Sequence, residues 1–169
     1  AKLRVSTEEV PFRWMTGTQS HEGMAGTKAA IDHIAWIGRE VSGNEGLARR
    51  EALKVAYTAI EEHERELCLR MIHGLTDIEG LKIWGITNPE RITERSPTVS
   101  FTHPKMTASE IGSLLAERGI FVWAGNFYAL ELTEALGLEP EGVLRVGLLH
   151  YNSMEEVDFF LESVREILE

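Results

Sequence analysis

Near the C-terminal end, Ser153 and Glu156 stand three residues apart and are followed by Val157, Phe160, Leu161, Val164, Ile167 and Leu168 at helical spacing. This pattern specifies a capped helix with one apolar face, and that face must be buried. Just before it, Val143 to Leu149 reads as a strand. Leu144, Val146 and Leu148 share the side that packs on helices, while Val143, Arg145, Gly147 and Leu149 share the other. A one-faced helix following a one-faced strand points to a sheet with helices laid on it.

The segments upstream fit the same layer. Leu81 to Ile86 and Thr98 to Thr102 read as strands around a polar loop holding Pro89 and Pro97. Thr107 and Glu110 form a capping box for a helix over Ala108 to Arg118, which Gly119 ends. Ile120 to Trp123 is a short apolar strand, and Phe127 to Leu136 a short helix closed by Gly137. From residue 75 the order is thus strand, strand, helix, strand, helix, strand, helix. The expected fold is α+β: a small, mostly antiparallel sheet of about four strands, covered by helices on one face. Two helices precede it. The first, Glu22 to Ile37, carries Met24, Ile31, Ile34, Ala35 and Ile37, and is broken by Gly38 and the Ser42-Gly43-Asn44 cluster. The second is capped by Asn44 and runs to His73, with Leu53, Ala56, Tyr57, Ile60, Leu67 and Met71 as its stripe. A helix this long suits a bridge between domains or an interface. Residues 1 to 20 are polar and irregular, with Pro11 and a Thr16-Gly17-Thr18-Gln19 turn.

Seventeen Lys and Arg against 27 Asp and Glu give a net charge of −10 over 169 residues. Nucleic acid and anionic membrane surfaces require a basic footprint, so both are disfavoured as partners. A single cysteine, Cys68, excludes an internal disulfide and a multi-cysteine zinc site. No apolar run is long enough to span a bilayer and no signal-peptide layout is visible, so the expected compartment is the cytoplasm. The chain begins at Ala1 rather than Met, which suggests a processed or excised piece.

Arg145 is the side chain with the most distinctive setting: a charge on the outward side of an apolar strand, beside Gly147. A planar guanidinium on a rigid element suits bidentate capture of a carboxylate. On residue type and position alone, an arginine pairing with a surface acid at a sheet edge is the more ordinary reading. Gly17 and Thr18 offer an amide and a hydroxyl to a phosphate oxygen, although Gly-Thr pairs are also common turn residues. No glycine-rich nucleotide cradle is present. The six histidines lack ligand spacing and imply no metal site, His63-Glu64 included. Cys68 reads as a small core residue, and Trp14, Trp36, Trp84 and Trp123 as packing residues.

The string Gly142-Val143-Leu144-Arg145-Val146-Gly147-Leu148-Leu149-His150-Tyr151-Asn152-Ser153, followed by Glu155-Glu156-Val157, resembles the C-terminal strand and helix of class V aminotransferases. These are fold-type I pyridoxal-phosphate enzymes, and they include cysteine desulfurases, selenocysteine lyases and isopenicillin N epimerase. Thr16-Gly17-Thr18 before a helix is similar to the family's Gly-Thr turn, Pro97 to Phe101 to its small-domain strand, and Arg118-Gly119-Ile120 to the approach to its active-site loop. Val122 to Leu130 is similar to the cysteine desulfurase-like branch. The resemblance spans nearly the whole chain.

The resemblance implies that residues 1–44 end a large cofactor domain, residues 45–74 form a linking helix, and residues 75–169 make a small C-terminal domain. It implies that Arg145, Asn126 and Tyr128 bind the substrate, Arg145 through the carboxylate and the other two from the active-site loop. It implies that Gly17 and Thr18 contact the phosphate of pyridoxal phosphate, Thr18 reaching a neighbouring subunit's cofactor in a homodimer. Three departures stand out. The family's Schiff-base lysine falls before the Gly-Thr turn, and Lys2, Lys28, Lys54, Lys82 and Lys105 have neither its context nor its position. Tyr128 stands where desulfurases carry their persulfide-forming cysteine, and Trp123 where many carry a second arginine. No catalytic residue is therefore expected within the chain. It is expected to be the inactive C-terminal part of a pyridoxal-phosphate-dependent lyase, transferase or epimerase acting on an amino acid. The alternative is a non-catalytic α+β association domain that uses the long helix as its interface.

Overall fold

A computed structural model describes residues 7–15 and 17–168; Lys2 and Thr16, named above, lie outside the described residues. The chain divides into two compact units, the first running to Ala59 and the second starting at Ile60.

In the first unit a single 3-10 turn, Phe12–Trp14, precedes helix α1 (His21–Ser42). Ser20 is its cap, accepting the Gly23 N–H at 3.2 Å, and Gly43 closes it in the left-handed region at φ +64°. Gly38 does not break the helix, contrary to expectation. It is buried, and a Cβ there would lie 1.8 Å from the Ala52 carbonyl oxygen, so glycine is what allows this close backbone approach. Asn44 does not cap the long helix either: its Oδ1 accepts the Gly46 N–H at 3.1 Å within the turn. The long helix α2 begins at Arg49 and continues to Thr76, past Gly74.

The second unit carries the sheet: β1 (Lys82–Trp84), β2 (Thr98–Thr102), β3 (Trp123–Gly125) and β4 (Val143–Gly147). All neighbours are antiparallel, in the order β1-β2-β4-β3. The strand last in sequence is therefore interior. Helices α3 (Ala108–Glu117), α4 (Leu130–Ala135) and α5 (Met154–Leu168) complete the unit. One core joins Leu67, Met71 and Leu75 of α2, Val99 and Phe101 of β2, Ile111 and Leu115 of α3, Leu144 of β4, and Val157, Leu161 and Val164 of α5. Each such side chain contributes roughly 1.5–3 kcal/mol by leaving water. The surface pair Arg70–Asp158, 2.6 Å apart, and the pair Arg118–Glu166 contribute far less, about 0–1 kcal/mol each. Apolar burial, not charge pairing, fixes the helices on the sheet. Gly74 belongs to this packing: a Cβ there would meet the Leu161 side chain at 2.4 Å.

Several boundaries differ from the sequence reading. β1 is only three residues long. The loop before β2 contains a 3-10 helix, Pro89–Glu94, whose cap Asn88 accepts the Glu90 N–H at 2.9 Å. β3 lies C-terminal to the expected Ile120–Trp123 run, because pairing to β4 begins at Trp123 opposite Arg145. α4 starts at Leu130, since Phe127 and Tyr128 have positive φ and cannot extend a right-handed helix. Of the tryptophans expected to pack, Trp14, Trp36 and Trp123 are 73%, 52% and 68% exposed. Tyr57 of the long-helix stripe is also half exposed, and Val143 is buried despite sharing strand parity with Arg145. Among the described residues no helix is long and apolar enough to cross a membrane.

Candidate active site

Strand parity and register assemble the site on the sheet face away from the helices. The pairs Trp84↔Ser100, Ser100↔Arg145 and Arg145↔Trp123 place four side chains in one row across all four strands. At the outer edge, Trp84 is fixed by a 3.0 Å bond from Nε1 to the Thr102 hydroxyl, and Lys82 Nζ lies 3.6 Å from its ring centroid. Arg145 sits in the middle of the row on an interior strand, exposed to solvent. Among the described residues it makes no hydrogen bond and no ion pair. Its one contact of note is the Phe127 ring, with Cζ 4.0 Å from the centroid. The sheet-edge pairing with a surface acid, the more ordinary reading of this arginine, does not occur among the described residues.

In front of Arg145 lies an open depression of about 520 Å³, lined by Thr98, Phe121, Val122, Trp123, Arg145 and Gly147. Its walls set the apolar side chains of Phe121, Val122 and Trp123 beside the cation of Arg145, which is unpaired among the described residues. A small anion with an apolar portion suits such a place, since the cation supplies fixed donors and the walls displace water.

The loop after β3 frames the same region. Asn126 Oδ1 accepts the Tyr128 N–H at 3.2 Å, and its Nδ2 donates to Glu139 Oε1 at 3.2 Å. Glu139 also accepts from the Thr133 hydroxyl, which is buried. Both polar ends of Asn126 are thus engaged within the loop, while the Tyr128 side chain is fully exposed. Phe127 and Tyr128 have φ of +55° and +62°. Such left-handed aromatic residues cost on the order of 1–3 kcal/mol each and persist only where their surroundings hold them. The structure thus brings Arg145 and the Asn126–Tyr128 loop into one cluster. Phe127 was not anticipated there; its helical-looking context hid the turn.

Gly17 and Thr18 lie in the first unit, exposed, just ahead of Ser20 and the N-terminus of α1. An amide, a hydroxyl and the positive end of a helix of 22 residues fit a phosphate. The described lysines do not fit the aldehyde end of pyridoxal phosphate. Lys28 is paired with Asp32, Lys54 with Glu51, Lys82 lies on Trp84, and Lys105 is exposed. None is buried beside a site.

Cys68 is part of the core, and burial pushes its thiol pKa up, with the charge of Arg95 acting in the opposite direction. A buried thiol of raised pKa is a poor nucleophile. His103 is buried with Nε2 3.1 Å from the Glu79 carbonyl, and its Nδ1 accepts the Lys105 N–H at 3.3 Å. His63 Nε2 lies 2.9 Å from the Asn152 carbonyl. Both rings are tied to backbone.

Residues 41–160 match the family model described as Aminotransferase class-V. The chain is similar to an aminotransferase-like protein of Gibberella zeae, 35% identical over 117 residues, covering 68% of this chain and 29% of that protein. It is 28% identical over 164 residues to a probable cysteine desulfurase of Pseudomonas putida, covering 97% of this chain and 34% of that protein. Among solved structures, the apo structure of a cysteine desulfurase from Thermococcus onnurineus superposes with a TM-score of 0.73 at 26% identity, covering 94% of this chain and 34% of that one. The chain spans about a third of the length of the relatives it matches.

Proposed function

The chain belongs to the class V aminotransferase family, and we propose that it forms the C-terminal portion of a pyridoxal-phosphate-dependent enzyme acting on an amino acid. In this reading residues 1–44 end the cofactor domain, residues 45–74 link it, and residues 75–169 are the small domain. Arg145 holds the substrate's carboxylate through its in-plane N–H edge. Tyr128 borders the bound amino acid, and Asn126 holds the loop that presents it. Gly17 and Thr18 hold the cofactor phosphate, Thr18 across a homodimer in a cytoplasmic enzyme. The cofactor supplies the electron sink that labilises bonds at the amino acid's α-carbon. The described lysines do not suit its aldehyde, so no step through it is assigned to this chain, which is inactive alone. Tyr128 brings no thiol to the loop, so sulfur transfer by a loop persulfide is not assigned either.

The observation that carries this reading is an exposed arginine, unpaired among the described residues, on an interior strand of the sheet. The test is Arg145→Ala in the full-length enzyme, with L-cysteine as the probe. Removing one partner of a charge pair costs about 2–5 kcal/mol, so the Kd for the amino acid, read from the spectral change on binding, should rise at least about 30-fold while cofactor absorbance persists. Loss of the cofactor itself would overturn the assignment of Arg145. Mixed with pyridoxal phosphate, the 169-residue chain alone should give no stoichiometric absorbance change of the kind a lysine-bound cofactor produces. A one-to-one change would show that a lysine of this chain can take that role.

A further inference from the structure

An exposed arginine on a strand is ordinarily free to sweep through several rotamers. Arg145 is not, because its Cζ lies 4.0 Å from the Phe127 ring centroid. The ring itself is delivered by an unusual piece of backbone, Phe127 at φ +55° followed by Tyr128 at φ +62°. Two successive aromatic residues in the left-handed region need an external hold. Asn126 supplies it. Its Oδ1 fixes the Tyr128 N–H and its Nδ2 reaches Glu139 Oε1, both at 3.2 Å, while its carbonyl accepts the Ala129 N–H at 2.9 Å. Glu139 is held in turn by the buried Thr133 hydroxyl. The contacts run unbroken from Thr133 through Glu139, Asn126 and Phe127 to the guanidinium.

We infer that Phe127 is a positioning residue for Arg145: held by Asn126 and Glu139, its ring covers one face of the guanidinium and leaves the in-plane N–H edge free for a substrate carboxylate. The inference rests on the reading of Arg145 as the carboxylate site. Stacking suits this task better than an acid partner would. A neighbouring carboxylate would also fix the side chain, but it would occupy the same donors a ligand needs. An aromatic face restrains the guanidinium and consumes no donor. The rotamer freedom a mobile arginine would lose on binding is then already lost in the free protein, which favours the bound state. The same ring closes off out-of-plane approach, selecting bidentate, coplanar carboxylates over tetrahedral oxyanions.

The test is an NMR titration of the 169-residue chain with acetate as the probe, observed at the Arg145 Nε–Hε resonance and assigned by its loss in Arg145→Lys. The Arg145 side-chain protons should be shifted upfield by the ring and should respond to acetate. Phe127→Leu should abolish the upfield shift and weaken acetate about five-fold, the scale of one immobilised side chain. Phe127→Tyr should restore both. Asn126→Ala, which leaves Phe127 and Arg145 intact, should reproduce part of the loss. If Phe127→Leu binds acetate as the parent does, the positioning role is overturned while Arg145 keeps its own. If the parent chain shows no acetate response at Arg145, both readings fall. Should Phe127→Leu fail to fold, Asn126→Ala decides: parental affinity and an unchanged Arg145 shift would overturn the inference.

Discussion

Gly137 and Gly142 both have φ +68°, yet their surroundings differ completely. A Cβ at 137 would meet nothing within 4 Å, whereas one at 142 would lie 2.3 Å from the Gly125 carbonyl carbon and oxygen. Gly137→Ala should therefore cost only the left-handed backbone term, about 1–2 kcal/mol. Gly142→Ala should cost that plus about 1–3 kcal/mol of overpacking where β3 meets β4. Equal losses for the two variants in denaturant unfolding would show that the strands part freely there. Cys68 invites a second measurement at this scale. Iodoacetamide should modify it slowly in the native chain and rapidly once unfolded, because the thiol is buried and its pKa raised. Fast native labelling would mean that α2 opens locally.

At the scale of elements, two reciprocal caps carry a pH dependence. Glu110 accepts the Thr107 N–H at 2.8 Å and Glu156 accepts the Ser153 N–H at 2.9 Å. Both carboxyls are held below their ordinary value of 4.5, first by these backbone donors and then by the Thr107 hydroxyl and the Asn152 side chain respectively. A depressed pKa gives stabilisation that is present above the ordinary value and lost as pH falls through the lowered one. The denaturation midpoint should therefore fall as pH drops below 4.5, and fall less steeply in a Glu110→Gln, Glu156→Gln double variant. Thr107→Ala should cost about 1 kcal/mol at neutral pH. These caps were legible from sequence because a capping box is written in residues three apart. β2, β4 and the α5 stripe were legible for a similar reason, since alternation and helical period are local. What local pattern could not carry was tertiary. Gly38 looks like a breaker until Ala52 is packed against it, and the extent of β3 depends on which residue β4 pairs first. Arg145 could be placed on its strand face, but its lack of an acid partner and the ring above it are properties of the folded loop. A left-handed Phe-Tyr pair has no sequence signature.

Among the described residues, the second unit holds the large core, while the buried apolar side chains of the first are Ala35, Ala52 and Ala56. Along α1, Met24, Ile31, Trp36 and Val41 remain exposed. Hydrogen exchange should accordingly find amides of β2, β4 and α5 the slowest, and those of residues 21–34 faster by orders of magnitude. Uniform protection across both would contradict this division. The strand order has one more consequence. Among the described residues β4, Val143–Gly147, is the one neighbour of β3 and the inner neighbour of β2, yet of the four strands it is the last in sequence. Until it emerges, β1 and β2 can form at most a hairpin, which is marginal by itself, and β3 has nothing to pair with. Closing this sheet should therefore wait for β4, in a step of high contact order. A nascent chain stalled before residue 143 should remain protease-sensitive throughout the second unit, however long it waits.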